Sequence, residues 1–230
     1  MTLRCVTFDL DDTLWECASL LNAAEQAFYD WLKSHYPKIS DRYTSAELIQ
    51  NRRGYFQRFP EMEHDFTYLR RRWLQDLAEN FGYDTQLAER GFRVFWEHRN
   101  AVTLFDAAHG TLEGMREHYA VGAITNGNAD VHYIGIGHYF DFVITAAQAG
   151  AAKPKPEIFH AALAAAGVEA AHTVHVGDDP VRDIHGANAV GMRTVWVNVT
   201  AMPWPGGPPP DAEIRTLDEL PPVLAQWGGV

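Results

Sequence analysis

The chain has 230 residues, of which 47% are hydrophobic and 12% aromatic, a composition typical of a globular protein with a sizeable core. Its formal net charge of −11 disfavours general binding to nucleic acid or to an anionic membrane surface. No apolar run approaches the roughly 18 residues of a membrane span and no secretory leader pattern is present, so we expect a cytoplasmic protein.

The first predicted element is a strand over residues 5–10, with Asp9 near its end and Asp11 and Asp12 directly after it. Carboxylates this close repel one another, and desolvation at the end of an apolar strand adds to the cost. A hard cation such as Mg²⁺ would relieve the repulsion, because it accepts carboxylate and carbonyl oxygens. The alternative at this point is a structural turn with Asx-type hydrogen bonds.

Residues 15–102 contain no convincing strand, and apolar residues recur there at helical spacing. The three stripes are Leu21, Ala24, Phe28, Trp31 and Leu32; Phe66, Trp73, Leu74, Leu77 and Phe81; and Leu87, Phe92, Phe95 and Trp96. Segments 35–45 and 52–65 are interpreted as breaks between helices. We therefore predict a helical domain over 15–102, inserted into a second domain made of residues 1–14 and 103–230.

Strands are predicted at 119–125, 140–145, 172–177 and 193–199, with helices at 156–167 and 179–191. This alternation indicates an α/β fold with a Rossmann-like parallel sheet. Segment 201–213 is predicted to be an irregular connection, and 217–228 a short helix whose start is obscured by a proline pair. Ligands of such sheets bind at the carboxyl ends of the strands, where Asp9, Thr125 and Asp178 fall.

Two further segments offer groups for an anion. Thr125, Asn126 and Gly127 combine a hydroxyl with backbone N–H groups, although an Asn-Gly pair is also common in turns. Lys153 and Lys155 flank Pro154 between a strand and a helix, where a lysine suits a phosphoryl oxygen. The alternative for both lysines is a solvated surface position.

Residues 177–183, GDDPVRD, place a second acidic group at a strand end. Gly177 permits a tight turn and Asp178 follows directly. Asp179 precedes a proline, so we interpret it as a helix N-cap. Asp183 is tolerated near the start of the helix, and its alternative role is to hold the lysine or a metal-bound water.

The Asp9–Asp11 pair suits phosphoryl transfer. A carboxylate is already ionised at neutral pH and is an established nucleophile that forms aspartyl phosphates. A second carboxylate in a different environment can hold a proton and act as general acid and then as general base.

With these four segments in order, the sequence resembles the haloacid dehalogenase-like hydrolase superfamily. The matching residues are DLDDT at 9–13, TNG at 125–127, KP at 153–154 and GDDPVRD at 177–183. The resemblance implies a Rossmann-like core with an inserted helical cap. Segments AITNGNAD, GHYFDFVI and HVGDDPVRDIHGA are also similar to the branch of flavin mononucleotide and nucleotide phosphatases.

The resemblance implies a role for each matching residue. Asp9 would be the nucleophile and Asp11 the general acid and base. Thr125 and Lys153 would bind the phosphoryl group, with a backbone N–H of Asn126 or Gly127. The implied Mg²⁺ would be held by Asp9, the main-chain carbonyl of Asp11, and Asp178, with Asp183 in a supporting position.

The implied activity is a Mg²⁺-dependent phosphatase that acts on a small phosphorylated metabolite of the flavin mononucleotide, nucleotide or sugar phosphate class. Alternatives are a haloacid dehalogenase or a phosphomutase with the same nucleophile, and a non-catalytic module that binds a phosphorylated ligand. No sequence pattern predicts the oligomeric state. We place Trp15 at the pocket entrance, and interpret His175 and His185 as packing or surface residues.

Overall fold

The computed structural model describes residues 2–228. Its sheet has six parallel strands in the order β3-β2-β1-β4-β5-β6. The strands are β1 (Cys5–Phe8), β2 (Ala120–Thr125), β3 (Phe142–Thr145), β4 (Thr173–Gly177), β5 (Arg193–Val197) and β6 (Ala212–Ile214). The predicted α/β fold with a parallel Rossmann-like sheet is thereby confirmed.

The central strand β1 is fully buried and pairs with β2 on one side and β4 on the other. Every residue of β4 is also buried, as expected for a parallel sheet covered on both faces. One polar pair interrupts these apolar strands, because Thr7 of β1 lies in register with His175 of β4. Within residues 2–228, no helix has the length and apolar character needed to cross a membrane.

The chain divides into two compact units, one of residues 17–102 and one of residues 1–16 and 103–230. The first unit is helical and consists of α1 (Cys17–His35), α2 (Pro37–Arg42), α3 (Ser45–Phe56), α4 (Phe66–Asn80) and α5 (Gln86–Arg99). Its own core is rich in aromatic residues, among them Phe28, Trp73 and Phe95. Arg70 is buried there beside Phe95 and pairs with Glu25 at 2.5 Å, so its charge is compensated inside the unit.

The second unit surrounds the sheet with short helices. They are α6 (Ala108–Arg116), α7 (Val131–Ile134), α8 (Ala146–Ala149), α9 (Pro156–Ala166), α10 (Gly186–Ala189) and α11 (Leu220–Gln226). A π-helix, Pro180–His185, leads directly into α10. Asp179 caps this π-helix by accepting hydrogen bonds from the N–H groups of Val181 and Arg182, both at 2.8 Å.

Three predictions of local structure were wrong. Segment 35–45 contains α2, which begins at a proline in its first turn. Segment 52–65 is not a break throughout, since α3 continues through Gly54 to Phe56. Segment 201–213 is not wholly irregular, because β6 begins at Ala212 and pairs with β5.

Candidate active site

The site is built at the carboxyl edge of three adjacent strands, β2, β1 and β4. Asp9 follows β1, Thr125 ends β2 and Asp178 follows β4. The backbone N–H of Asp9 donates to the carbonyl of Val176 at 2.9 Å, which extends the β1–β4 pairing up to the acidic residue. Since β1 lies between β2 and β4, these strand ends are neighbours in space.

A tight turn after β1 sets the position of Asp11. Asp12 adopts the left-handed conformation with φ 60°, which short polar residues tolerate. The N–H of Leu14 donates to the carbonyl of Leu10 at 2.8 Å, and that of Asp12 to the carbonyl of Trp15 at 2.7 Å. The chain thus folds back so that Asp11 and Trp15 lie side by side in an isolated bridge.

Trp15 contacts the Asp11 side chain directly. Its indole Nε1–H donates to Oδ1 of Asp11 at 2.8 Å. The expectation that Trp15 lines a pocket entrance is wrong, because only 1% of the residue is exposed. The apolar neighbours Leu10 and Leu14 are fully buried, so burial of these two side chains stabilises the turn.

The buried Lys153 ammonium joins two of the carboxylates. Nζ lies 2.7 Å from Oδ1 of Asp9 and 2.6 Å from Oδ1 of Asp183, and it donates to the carbonyl of Ile124 at 2.9 Å. An ammonium group has three hydrogens, so these three acceptors use all of them. Burial alone would lower the pKa of Lys153, but the two carboxylates raise it above its usual value, and the lysine is charged.

Asp183 is fully buried in the π-helix and accepts three hydrogen bonds. Oδ1 accepts from Lys153 and from Nε2 of His175 at 3.1 Å, and Oδ2 accepts from the N–H of Asp179 at 3.0 Å. Burial alone would raise the pKa of Asp183, but the Lys153 charge and the hydrogen bond from His175 hold that pKa well below its usual range. Asp183 is therefore an ionised anchor for the lysine.

His175 is a participant that the sequence analysis missed. The ring is fully buried, with Nδ1 2.9 Å from the hydroxyl of Thr7 and Nε2 toward Asp183. Burial lowers the pKa of His175, which favours the neutral ring. Because the Asp183 carboxylate can only accept, we assign the proton to Nε2 and let Nδ1 accept from Thr7. His185, interpreted in the same way, has no such contact among the described residues, and its ring meets that of Trp204 edge-on, with an angle of 83° between the ring planes.

The loop after β2 is tied to the loop that carries Lys153. Asn126 Oδ1 accepts from the N–H of Lys153 at 2.7 Å, and its Nδ2 donates to the carbonyl of Lys153 at 3.0 Å. The N–H of Gly127 donates to Oγ1 of Thr125 at 2.9 Å. Asn126 therefore holds the lysine backbone with both ends of its amide. Lys155 differs from Lys153, because it is exposed at the N-cap position of α9.

Three carboxylates form a cluster that could hold a metal ion. Asp9, Asp178 and Asp183 each offer an oxygen, and these oxygens lie within 4.8 Å of one another. Asp178 accepts from the hydroxyl of Thr13 at 3.2 Å. Burial, followed by the negative charges of Asp183 and Asp12, raises the pKa of Asp178 to about 7. Burial also raises the pKa of Asp9 well above its usual value, and the charges of Asp183 and Asp178 add to that increase.

The donor set fits a hard divalent cation. All three groups are carboxylates, and burial together with neighbouring negative charge raises the pKa of Asp9 and of Asp178, so a bound cation would stabilise their ionised forms. The oxygens of Asp183 already accept from Lys153, His175 and Asp179. Asp9 and Asp178 are thus better placed than Asp183 to be direct ligands.

Comparison with known proteins agrees with this site. Residues 3–191 match the haloacid dehalogenase-like hydrolase family. The chain is 29% identical over 199 residues to 5-amino-6-(5-phospho-D-ribitylamino)uracil phosphatase YigB of Escherichia coli, covering 85% of this chain and 83% of the relative. It is 32% identical over 201 residues to a glyceraldehyde 3-phosphate phosphatase of Pyrococcus abyssi, covering 84% and 81%.

A solved structure is also similar along almost the whole chain. The crystal structure of 2-haloacid dehalogenase from Pseudomonas syringae pv. Tomato DC3000 superimposes with a TM-score of 0.93 at 42% identity, covering 98% of this chain and all of the other. The family match spans the strand-end residues that form the site, from Asp9 to Asp183. The chain is therefore an enzyme of the haloacid dehalogenase-like hydrolase family.

Proposed function

We propose that the protein is a Mg²⁺-dependent phosphatase that hydrolyses a small phosphomonoester through a phosphoaspartyl intermediate on Asp9. The observation that carries the proposal is the position of Asp9, between the Lys153 ammonium at 2.7 Å and the cluster with Asp178 and Asp183. The nucleophile thus lies beside a fixed positive charge and belongs to a carboxylate cluster that could hold a metal ion. Both features favour the binding of an anionic phosphate ester. Electrostatic stabilisation of this kind commonly contributes more to the rate of phosphoryl transfer than any other effect.

The reaction has two steps. A carboxylate oxygen of Asp9 attacks phosphorus as the bond to the ester oxygen breaks, and Asp11 gives its proton to that oxygen, so the alcohol leaves. Water then attacks phosphorus, Asp11 accepts one proton from it, and the bond between phosphorus and Asp9 breaks. Inorganic phosphate leaves, Asp9 is again a carboxylate and Asp11 is again protonated.

The implied Mg²⁺ would be held by the carboxylates of Asp9 and Asp178 and the main-chain carbonyl of Asp11. When bound it supplies positive charge to the phosphate oxygens and to the nucleophile. The chain's own cation, Lys153, lies beside Asp9, where negative charge develops on the transferring phosphoryl group. Thr125 and a backbone N–H of Asn126 or Gly127 complete the phosphate contacts in this proposal.

The relatives support a small phosphorylated metabolite as the substrate. Both curated relatives named above are phosphatases of small phosphorylated metabolites. We propose a flavin mononucleotide, nucleotide or sugar phosphate as the substrate of this chain.

A haloacid dehalogenase is the second candidate, because the solved structure with 42% identity is described as one. Displacement of a halide needs a carboxylate nucleophile, and the leaving halide needs no proton. Dehalogenation would use Asp9 as the nucleophile but would leave Asp11 and Asp178 without a chemical role. Phosphate ester hydrolysis uses all of them, so we favour it.

The test is phosphate release from a panel of p-nitrophenyl phosphate, flavin mononucleotide, nucleoside monophosphates and sugar phosphates, with Mg²⁺ or chelator. Halide release from 2-haloacids is measured beside it. We expect metal-dependent phosphate release that is lost in Asp9→Asn and kept in Asp30→Asn, an equivalent change on the exposed face of α1. Halide release without phosphate release would replace the proposal with the dehalogenase.

A further inference from the structure

We propose that Trp15 is a positioning residue for the acid–base step: its indole N–H orients the Asp11 carboxylate and directs the transferable proton to Oδ2. The inference rests on the proposed phosphatase function, in which Asp11 protonates the leaving group. It assigns a role in the reaction to a residue that does not itself touch the substrate.

The contact is fixed from both sides. Trp15 is among the largest fully buried side chains, so its ring has little freedom to rotate. Its backbone is held in bridges to Asp11 on one side and to Leu104 on the other. The carbonyl of Leu14, the preceding residue, accepts from the N–H of Phe105 at 2.9 Å. The indole N–H therefore has one fixed direction, and Oδ1 of Asp11 lies along it at 2.8 Å.

An indole N–H can only donate, so it distinguishes the two oxygens of Asp11. In the protonated acid the carbonyl oxygen is the better acceptor, and the hydrogen bond from Trp15 favours Oδ1 as that oxygen. The proton is then carried by Oδ2. In the carboxylate state the same bond holds the group in place, so that Oδ2 is again the oxygen that accepts a proton from water.

The size of the effect follows from the contribution of the acid–base step. A positioned acid or base contributes about 10²- to 10⁴-fold to rate, and misplacement by an ångström can cost about 10²-fold. Loss of the indole donor removes the hydrogen bond that favours Oδ1 as the acceptor, so the proton is directed to Oδ2 less strongly. We expect a loss of about 10- to 100-fold for substrates whose leaving group requires a proton.

A purely structural role for the hydrogen bond makes a different prediction. A buried tryptophan needs a partner for its N–H, and Asp11 could be no more than that. In that case removal of the N–H would weaken the fold and lower the activity equally for every substrate. Dependence on the leaving group separates the two roles, because a stable anion departs without a proton.

The experiment measures kcat/KM with Mg²⁺ for substituted phenyl phosphates, from p-nitrophenyl to p-methoxyphenyl, in wild type and Trp15→Phe. The matched control is Trp73→Phe, since Trp73 is also buried and its Nε1 donates at 2.8 Å to the side chain of Asn51. We expect Trp15→Phe to change the p-nitrophenyl rate less than about threefold and the p-methoxyphenyl rate by about tenfold or more. Trp73→Phe should shift all the substrates equally.

Parallel leaving-group plots for Trp15→Phe and wild type would overturn the role of Trp15 and leave the phosphatase intact. No phosphate release by the wild type from any ester would overturn the proposed function, and this role with it. If Trp15→Phe does not fold, Trp15→3-benzothienylalanine keeps the shape of the ring and replaces the N–H by sulfur. The steeper leaving-group dependence is expected in that variant as well.

Discussion

Lys153 and Asp183 form an ion pair in which Nζ lies 2.6 Å from Oδ1, and 1% or less of either side chain is exposed. The same ammonium lies 2.7 Å from Asp9, so Asp183 fixes the cation that faces the proposed nucleophile. Removal of one partner from a buried pair of this kind leaves an uncompensated buried charge, which typically destabilises a fold by about 3–5 kcal/mol.

Asp183→Asn should therefore damage both stability and activity. Both oxygens of Asp183 accept hydrogen bonds, so in either orientation the amide nitrogen of asparagine would meet a donor instead of an acceptor. Those donors are Lys153 and His175 at one position and the Asp179 N–H at the other. We expect a loss of about 3 kcal/mol in the free energy of unfolding and on the order of 10² in kcat with p-nitrophenyl phosphate. Urea unfolding and steady-state kinetics would measure the two effects.

The neighbouring Asp179→Asn is the control for that change, because asparagine caps helices about as well as aspartate. We expect it to alter stability by less than about 0.5 kcal/mol. Equal effects of the two substitutions would contradict a specific role for Asp183.

Gly177→Ala, at the end of β4, should displace the Asp183 carboxylate. A Cβ built on Gly177 would lie 2.5 Å from Oδ2 of Asp183, far inside van der Waals contact. We expect a destabilisation of about 1–3 kcal/mol, with a parallel loss of phosphatase activity. Gly110→Ala in α6 is the matched control: its Cβ would meet nothing within 4 Å, so the helix should gain up to about 1 kcal/mol. If Gly177→Ala changed neither the free energy of unfolding nor the activity, the exact position of the Asp183 carboxylate would not matter.

Binding of Mg²⁺ should strengthen as the pH rises to about 7. Burial and the charges of Asp183 and Asp12 raise the pKa of Asp178 to about 7, above its ordinary value of 3.8. Without metal, this group stabilises the fold at pH values below its ordinary pKa, and the contribution is lost as the pH rises through about 7. Below that pH the metal must displace a proton, and above it the carboxylate is already ionised.

The measurement is the change in Tm caused by one fixed Mg²⁺ concentration at about pH 6 and about pH 8; a concentration of 100 Kd would add about 2.7 kcal/mol to the free energy of unfolding. We expect the larger increase at the higher pH. Asp178→Asn should remove most of the increase at both values. A larger increase at the lower pH would contradict a metal site that includes Asp178.

The two cysteines should differ sharply in reactivity. Burial, with the charge of Asp141, raises the pKa of the Cys5 thiol to about 12, and that residue lies at 0% exposure in the central strand. Cys17 is half-buried at the start of α1. We expect a thiol reagent such as DTNB to modify one thiol quickly in native wild type and none quickly in Cys17→Ser. Rapid modification in native Cys17→Ser would show that β1 opens locally.

The positions of Asp9, Thr125 and Asp178 at adjacent strand ends were predictable, because parallel strands in βαβ units place their carboxyl ends on one edge. Strands of four to six apolar residues between helices are a strong pattern. β6 was not predictable, since three residues after a segment rich in proline and glycine carry no periodicity. Its existence depends on pairing with β5.

The contacts of Trp15 and His175 lie beyond what a linear pattern holds. The hydrogen bond from Trp15 to Asp11 depends on the left-handed turn at Asp12. His175 meets Asp183 because the helix after β4 opens with a π turn, and meets Thr7 because of the strand register. The available signal was the presence of Thr7 and His175 in otherwise apolar strands. A buried polar side chain indicates that a hydrogen-bond partner exists, but the sequence does not show which residue that partner is.

Pairing of β1 with β2 and β4 has a consequence for the nascent chain. Residues 5–8 are synthesised before either partner strand, since one partner begins at Ala120 and the other at Thr173. At ordinary elongation rates, roughly 10 to 30 seconds separate synthesis of the strand that leads into Asp9 from synthesis of β4. Before β2 is synthesised the apolar strand has two unpaired edges, and it keeps one unpaired edge until β4 follows, so it is exposed to chaperones and to other chains. Residues 17–102 can meanwhile bury their own core. Translation speed up to Gly177 is thus expected to govern the yield of active enzyme.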